Sequence, residues 1–139
     1  MKTIKNYLNA ALLTESQQIF TIIKPGFLNL QDEIVKIFQE NGWEIYKNRT
    51  MKLSKEQAER LYQIHKKEDF FEPLVKYMSS GLSEAIIYSK SGRTDSGTFK
   101  AVDKIKDEIR KKWGESDMRN VLHSSDSLEH MIEEMSVYF

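Results

Sequence analysis

The chain has 139 residues, 40% hydrophobic and 30% charged, with 21 basic side chains against 21 acidic ones. That length suits one domain around one core, and the balanced charge gives no global field to draw it onto nucleic acid or a membrane surface. The absence of cysteine excludes disulfides and thiolate metal sites, and no apolar run is long enough to span a bilayer.

Residues 1–17 hold a short apolar patch from Leu8 to Leu13, too short and wrongly flanked for a signal peptide. They read as an N-terminal extension, partly helical, that packs on the surface or on a partner, ahead of a domain spanning 18–139. Gln18-Ile19-Phe20-Thr21-Ile22-Ile23 is β-branched and aromatic, and Lys24-Pro25-Gly26 ends it, which predicts a buried strand with Lys24 at its end. Asn29 is positioned to cap a helix over 30–40, where Leu30, Ile34, Ile37 and Phe38 repeat at three and four before Asn41-Gly42. A charged, partly buried strand follows over 43–53.

Ser54-Lys55-Glu56-Gln57 has the form of a capping box and opens a helix through about His65. Asp69-Phe70-Phe71-Glu72 repeats that signal more weakly ahead of a helix over 73–78. A third strand is predicted over 84–88, a Ser/Gly-rich loop over 89–97, and a charged helix over 98–113 whose inward residues are Val102, Ile105, Ile109 and Trp113. Gly114 stops it. Asp126 or Ser127 caps a last helix with Leu128, Met131, Ile132 and Met135 inward, and Val137-Tyr138-Phe139 is expected to add a final strand. The order of elements indicates α/β with an antiparallel or mixed sheet.

Chemistry concentrates at Arg119-Asn120-Val121-Leu122-His123-Ser124-Ser125-Asp126-Ser127. A histidine among small polar residues, with an acidic amphipathic segment behind it, is a candidate nucleophile or acid/base, because imidazole titrates near neutrality. The same pattern also describes a turn or helix cap. Lys24 can offer its ammonium to a phosphate or simply be solvated at a strand end. The loop after it lacks P-loop spacing. The basic run from Lys100 to Lys112 is interleaved with Asp103, Asp107 and Glu108, so it reads as a solvated helix face and no specific nucleic acid is expected. His65 and His130 have no metal-ligand spacing with His123.

These residues carry a family resemblance. The segment 120–127 is similar to Asn-x-x-His-Gly/Ala/Ser-Ser-Asp-Ser, the pattern around the phosphorylated histidine of the nucleoside diphosphate kinases. Ile22-Ile23-Lys24-Pro25, Phe70-Phe71 with Leu74-Val75-Lys76-Tyr77-Met78-Ser79-Ser80-Gly81, and Glu134 ahead of Tyr138-Phe139 match in the family's order. The resemblance covers 18–139. It implies an α/β (α+β) fold: a ferredoxin-like antiparallel four-stranded sheet with helices packed on it. It also implies ping-pong transfer of the γ-phosphoryl group from a nucleoside triphosphate, through phosphohistidine, to a nucleoside diphosphate.

In that reading His123 is the nucleophile, Glu134 orients it and Ser125 supports the site. Lys24, Tyr62, Arg110 and Asn120 contact phosphates or ribose, and Phe70 stacks on the base. Mg²⁺ travels on the nucleotide phosphates, near Asp126. The chain is expected to be cytoplasmic and a homo-oligomer: a dimer, with a tetramer the alternative. The family's hexamer-building surfaces, a long loop before the histidine and a tail beyond the last strand, are both reduced here. Two further readings are a nucleotide-binding regulatory pseudo-enzyme and a protein-histidine phosphocarrier.

The family's Lys-Pro-Asp is here Lys24-Pro25-Gly26, and the region between Tyr88 and Arg119 is shorter and barely similar. That region should hold two phosphate-binding arginines and a threonine. Arg110 aligns either with the arginine just before the histidine loop or, followed by Gly114, with the one on the preceding helix. Arg93 and Arg119 are candidates for the other, and Thr94, Thr98 and Ser116 for the threonine.

Overall fold

A strand covered on both faces must be apolar at successive positions, and Ile19-Phe20-Thr21-Ile22-Ile23 meets that condition. In the computed structural model, which describes residues 16–139, this stretch is the middle of β1 (Ser16–Ile23). Three further strands join it: β2 (Glu44–Met51), β3 (Ser83–Ser91) and β4 (Leu122–Ser124). Their order is β2-β3-β1-β4, and every neighbouring pair is antiparallel. Among the described residues five helices pack on the sheet: α1 (Gln31–Glu40), α2 (Lys55–Leu61), α3 (Phe71–Met78), α4 (Ser96–Trp113) and α5 (Leu128–Tyr138). This is the ferredoxin-like arrangement that the resemblance implied.

The period of two along β1 and β3 sorts the core. Phe20, Ile22, Ala85 and Ile87 pack with Leu61 of α2, Val75 and Met78 of α3, and Met131 and Met135 of α5. Ile19, Ile23, Ile86 and Tyr88 pack on the other side with Ile34 and Phe38 of α1 and Val102, Ile105 and Ile109 of α4. Each fully buried aliphatic side chain contributes about 1.5–3 kcal/mol. β2 is an edge strand, shorter than the 43–53 expected and exposed along nearly its whole length where partial burial was expected. It bulges at Tyr46, where the register passes from Ile45↔Tyr88 to Lys47↔Ile87, and such a bulge discourages indiscriminate edge pairing.

Several boundaries differ from expectation. Val137-Tyr138-Phe139 adds no strand: α5 continues through Tyr138, and the fourth strand is Leu122–Ser124. Strand propensity loses there because the helical path buries Val137 and Tyr138, puts the Tyr138 ring 6.0 Å from Phe20 and brings its hydroxyl to Ser83 Oγ at 2.7 Å. Asn29 caps nothing; it lies in a single 3₁₀ turn (Leu28–Leu30) that leads into α1. Asp69 is no cap either, and Pro73 occupies the third position of α3, where its missing N–H has no helical partner to lose. α2 ends at Leu61, and Gln63–His65 forms a separate 3₁₀ turn. Most of the N-terminal extension expected over 1–17 lies outside the described residues.

The capping box at Ser54 and Gln57 forms as expected. A second one, unexpected, starts α4 inside the predicted loop: Thr98 N donates to Asp95 Oδ1 at 3.1 Å, and Asp95 N donates to Thr98 Oγ1 at 3.1 Å. Losing such a cap costs about 1 kcal/mol. Asp95→Ala should therefore lower the urea midpoint without changing the slope of the transition. An unchanged midpoint would mean that Thr98 holds the helix start alone, through its bond to Gln17 Oε1 at 2.9 Å.

Candidate active site

β4 is three residues long, and its middle residue is His123, paired across to Ile22. Because side chains alternate, Leu122 and His123 leave the sheet on opposite faces, and His123 falls on the side of α2, α3 and α5. Just beyond β4, Ser125 N donates to Phe20 O at 3.2 Å and keeps the chain on the sheet. Ser127 then caps α5, accepting from His130 N at 3.2 Å. This start brings Glu134, on the second turn, back over β4.

The Glu134 carboxylate, only 8% exposed, receives two side chains on one oxygen. His123 Nε2 bonds to Oε1, and Ser125 Oγ donates to the same atom at 3.0 Å. An ionised carboxylate only accepts hydrogen bonds, so the imidazole proton belongs on Nε2 and the lone pair on Nδ1. The ring is further fenced by Tyr62, whose ring meets it edge-on, with centroids 5.9 Å apart.

Cations converge at the end of the same strands. Lys24 is 4% exposed; its Nζ donates to Met118 O at 3.3 Å and its amide to Val121 O at 2.9 Å. Burial, then the Arg110 and Lys106 charges, pull its amine down from 10.5 to about 7. Arg110, near the end of α4, forks Nε and Nη2 onto Leu122 O at 3.1 and 2.8 Å. Asn120 Nδ2 donates to Asp117 O at 2.7 Å. The Tyr62 hydroxyl and Asn120 Oδ1 are buried without a hydrogen-bond partner among the described residues. Burial, first of all, pushes the Tyr62 phenol well above its usual range.

The neighbouring aromatic pair divides its work: Phe71 is in the core at 5% exposure, while Phe70 stands 44% exposed, its ring 5.2 Å from His65. Asp126 is exposed and bonds through Oδ1 to His130 Nδ1 at 2.6 Å; that bond holds its carboxyl below the usual range and raises the imidazole.

One residue of the site has no signature in the sequence. Val121 has φ 79°, in the left-handed region that β-branched side chains avoid. Leu122 N donates to Asn120 O at 3.0 Å across it, which makes a γ-turn of the strained hand. This turn aims Asn120 and β4.

The candidates for a second arginine also separate. β1 pairs Ile23 with Glu84 at one end and Ser16 with Ser91 at the other, so Arg93 lies at the far end from Lys24. Thr94 and Thr98 are there too, bonded to Gln18 N and Gln17 Oε1. Arg119 is near the site but packs between the Phe27 and Tyr77 rings. Arg110 sits on α4 ahead of Gly114, the arrangement of the helix arginine. Beside it an open cleft of about 660 Å³ is lined by Arg110, Lys111, Ser116, Asp117 and Asn120 among others, so of the threonine candidates Ser116 is the one that shares a cleft with Arg110; His123 lies off this lining.

The family model described as nucleoside diphosphate kinase matches residues 17–139. The nucleoside diphosphate kinase of Kosmotoga olearia is 32% identical over 135 residues, covering 88% of each chain. That of Saccharolobus solfataricus is 33% identical over 131 residues, covering 89% of this chain and 95% of the other. The chain belongs to the nucleoside diphosphate kinase family. Among solved structures, the Aquifex aeolicus nucleoside diphosphate kinase superposes with a TM-score of 0.78 at 25% identity, covering 89% of this chain and 95% of that one. The Encephalitozoon cuniculi enzyme, at 22% identity and the same TM-score, shares the fold. As a member of the family the protein is an enzyme, a phosphotransferase, and the family works with a divalent cation.

The residues present fit a cation that arrives on the substrate. Among the described residues no group of three His, Cys, Asp or Glu side chains is placed to hold a metal, whereas the single carboxylate of Asp126 keeps one oxygen outside its bond to His130. No helix among those residues is long and apolar enough to cross a membrane.

Lys24 gives a testable pH signature. Between about 7 and 10.5 the unfolded chain holds the Lys24 proton and the folded chain releases it, so this group makes stability rise with pH across that window. Below the window both states are charged and the whole cost of the buried ammonium is present. Lys24→Met should flatten the rise and raise stability near pH 7, read by urea denaturation at several pH values. Parallel pH curves for the two proteins would overturn the assignment.

Proposed function

We propose that Nδ1 of His123 takes the γ-phosphoryl group. As in its family, the chain moves that group from a nucleoside triphosphate to a nucleoside diphosphate in two half-reactions, through a phosphohistidine. The observation that supports His123 as the carrier is the contact of its Nε2 with Glu134, itself braced by Ser125. It leaves the other ring nitrogen with its lone pair and fixes the plane of the ring.

The Nδ1 lone pair forms the N–P bond as the bond between the γ-phosphorus and the bridging oxygen breaks, and the diphosphate leaves with that electron pair. The Nε2 proton stays shared with Glu134, which offsets the positive charge growing on the imidazole. The second half-reaction is the reverse, onto another diphosphate. Phosphoryl transfer of this kind depends on in-line placement and charge neutralisation rather than on a strong base.

Lys24, the free Nη1 of Arg110, Asn120 Oδ1 and the Tyr62 hydroxyl are assigned to phosphate and ribose oxygens. Phe70 offers an exposed ring face to the base, which gives affinity with little choice among bases. We read the divalent cation as Mg²⁺, which keeps few protein ligands and rides on phosphates, with Asp126 as the nearby carboxylate. It neutralises phosphate charge. We read residues 18–139 as the catalytic unit and its setting as cytoplasmic. Neither the pseudo-enzyme nor the phosphocarrier gains a supporting observation.

The protein incubated with γ-labelled ATP should take up acid-labile, base-stable phosphate and pass it to an added nucleoside diphosphate. His123→Ala should do neither while keeping its fold by circular dichroism. Label of the same chemistry on the variant would remove His123 from this role.

We also infer a dimer, with a tetramer the alternative. β2 leaves one edge open and carries Ile45 and Tyr46 at 38% and 55% exposure, the kind of edge that a two-fold pairing covers. The segment 114–121 offers little surface for higher assembly. Light scattering at micromolar concentration should give twice the 16.3 kDa chain. A stable hexamer would mean that other contacts build the assembly.

A further inference from the structure

The segment 114–121 joins α4 to β4; Lys24 Nζ and Asn120 Nδ2 hold it at Met118 O and Asp117 O, and the side chain of Arg119 ties it to the neighbouring elements. The Arg119 guanidinium lies 5.4 Å from the centre of the Phe27 ring and 5.2 Å from that of Tyr77. Both distances are within reach of a cation–ring attraction. Arg119 Nε donates to Glu115 Oε1 at 2.9 Å.

The backbone of Arg119 closes the segment on itself. Its carbonyl accepts from Glu115 N at 2.8 Å and from Ser116 N at 3.3 Å, and its amide donates to Ser116 Oγ at 3.0 Å. The two rings are fixed points. Phe27 is buried with α1 and α4, and Tyr77 donates its hydroxyl to Pro25 O at 2.5 Å. The guanidinium lies so close over Gly26 that a Cβ there would fall 2.9 Å from Nη2. A side chain at position 26 would take this space, so the glycine provides the ledge on which Arg119 rests.

We propose that Arg119 is a positioning residue: held between Phe27 and Tyr77 and tied to Glu115, it locks the short segment so that Asn120 and the strained turn at Val121 present His123 for attack. Arg119 directly precedes Asn120 and Val121. The turn at Val121 resists its own conformation and persists because both sides are held. On the far side, Lys24 N holds Val121 O and Arg110 holds Leu122 O. On the near side, the fixed side chain is Arg119. Releasing it lets the turn relax and shifts β4, and with it His123, relative to the bound phosphate. The same placement takes Arg119 out of the set of phosphate ligands. The inference rests on the reading of His123 as the phosphoryl acceptor.

The test is single-turnover labelling with γ-labelled ATP, which separates the maximal rate of phosphohistidine formation from the ATP concentration that half-saturates it. Arg119→Ala should lower the maximal rate by about tenfold to a hundredfold and move half-saturation by less than about threefold. Arg119→Lys, which keeps a cation between the rings, should recover most of the rate. A residue that only stabilised the fold would lower the melting temperature and leave the rate per folded molecule unchanged.

Should Arg119→Ala fail to fold, Arg119→Met keeps the stem packed on the rings, removes the charge and the donor to Glu115, and carries the same expectation. A rise of about tenfold in half-saturating ATP at an undiminished maximal rate would make Arg119 a phosphate ligand and overturn the proposal. Unchanged kinetics in both variants would also overturn it. A wild-type protein that takes no label would overturn the phosphohistidine reading and this one with it, an outcome told apart because it precedes any variant.

Discussion

The three-residue pairing of β4 with β1 is the constraint on which the site depends. Thr21↔Ser124, Ile22↔His123 and Ile23↔Leu122 are all it has, too little for a strand to hold itself. Its ends are therefore held by other groups: Lys24 N on Val121 O and Arg110 on Leu122 O before the histidine, and Ser125 N on Phe20 O after it. The histidine backbone is fixed from both sides, and Glu134 then fixes the ring. An imidazole that is already in place loses no rotamer freedom when the phosphate arrives, and that saving is a large part of what positioning gives a group-transfer reaction.

The same anchors carry an electrostatic cost. Burial first, then the charges of Arg110 and Lys106, oppose the ammonium of Lys24, and no carboxylate is among the groups that perturb it. A phenol hydroxyl and an amide oxygen nearby have no partner among the described residues. Each of these is unfavourable in the unliganded protein. All are relieved together by a polyanion with many acceptor oxygens and a few hydroxyls. A site left unsatisfied in this way binds a phosphate chain more strongly than its separate contacts suggest, because binding also removes the destabilisation.

Much of this was legible in the sequence, and the exceptions have physical reasons. β1 could be read because a strand buried on both faces is apolar throughout, and the Ser54 capping box because its four residues act on one another. The His123 segment and its resemblance marked the histidine that β4 carries beside Glu134, whereas nothing in the Phe70-Phe71 pair showed that Phe71 is core and Phe70 exposed. Val137-Tyr138-Phe139 misled because β-propensity is a preference of isolated residues, whereas α5 buries Val137 and Tyr138 in the core as helical residues. Arg93, Thr94 and Thr98 remained candidates because sequence spacing does not show that β3 carries them to the far end of β1. Val121 gave no sign at all. Left-handed turns are usually announced by Gly or Asn, and here a valine is forced into one by the groups around it.

α4 explains how a shortened chain still reaches its phosphates. Its 18 residues span about 27 Å, and the stretch from Thr98, bonded to Gln17, to Arg110, bonded to Leu122 O, covers about 18 Å of that. The helix ends where Gly114 meets Arg110 O so closely that a Cβ would fall 2.5 Å from it. Only the segment 114–121 is then left to turn the chain back into β4. Arg119 is taken up in holding that return. Of the arginines considered, Arg110 is the one that bonds the histidine strand itself, at Leu122 O, and a phosphate beside Lys24 would favour the charged form that burial opposes. On the function proposed, charge neutralisation in this chain falls to Lys24 and Arg110, both held against the backbone around β4, together with the divalent cation.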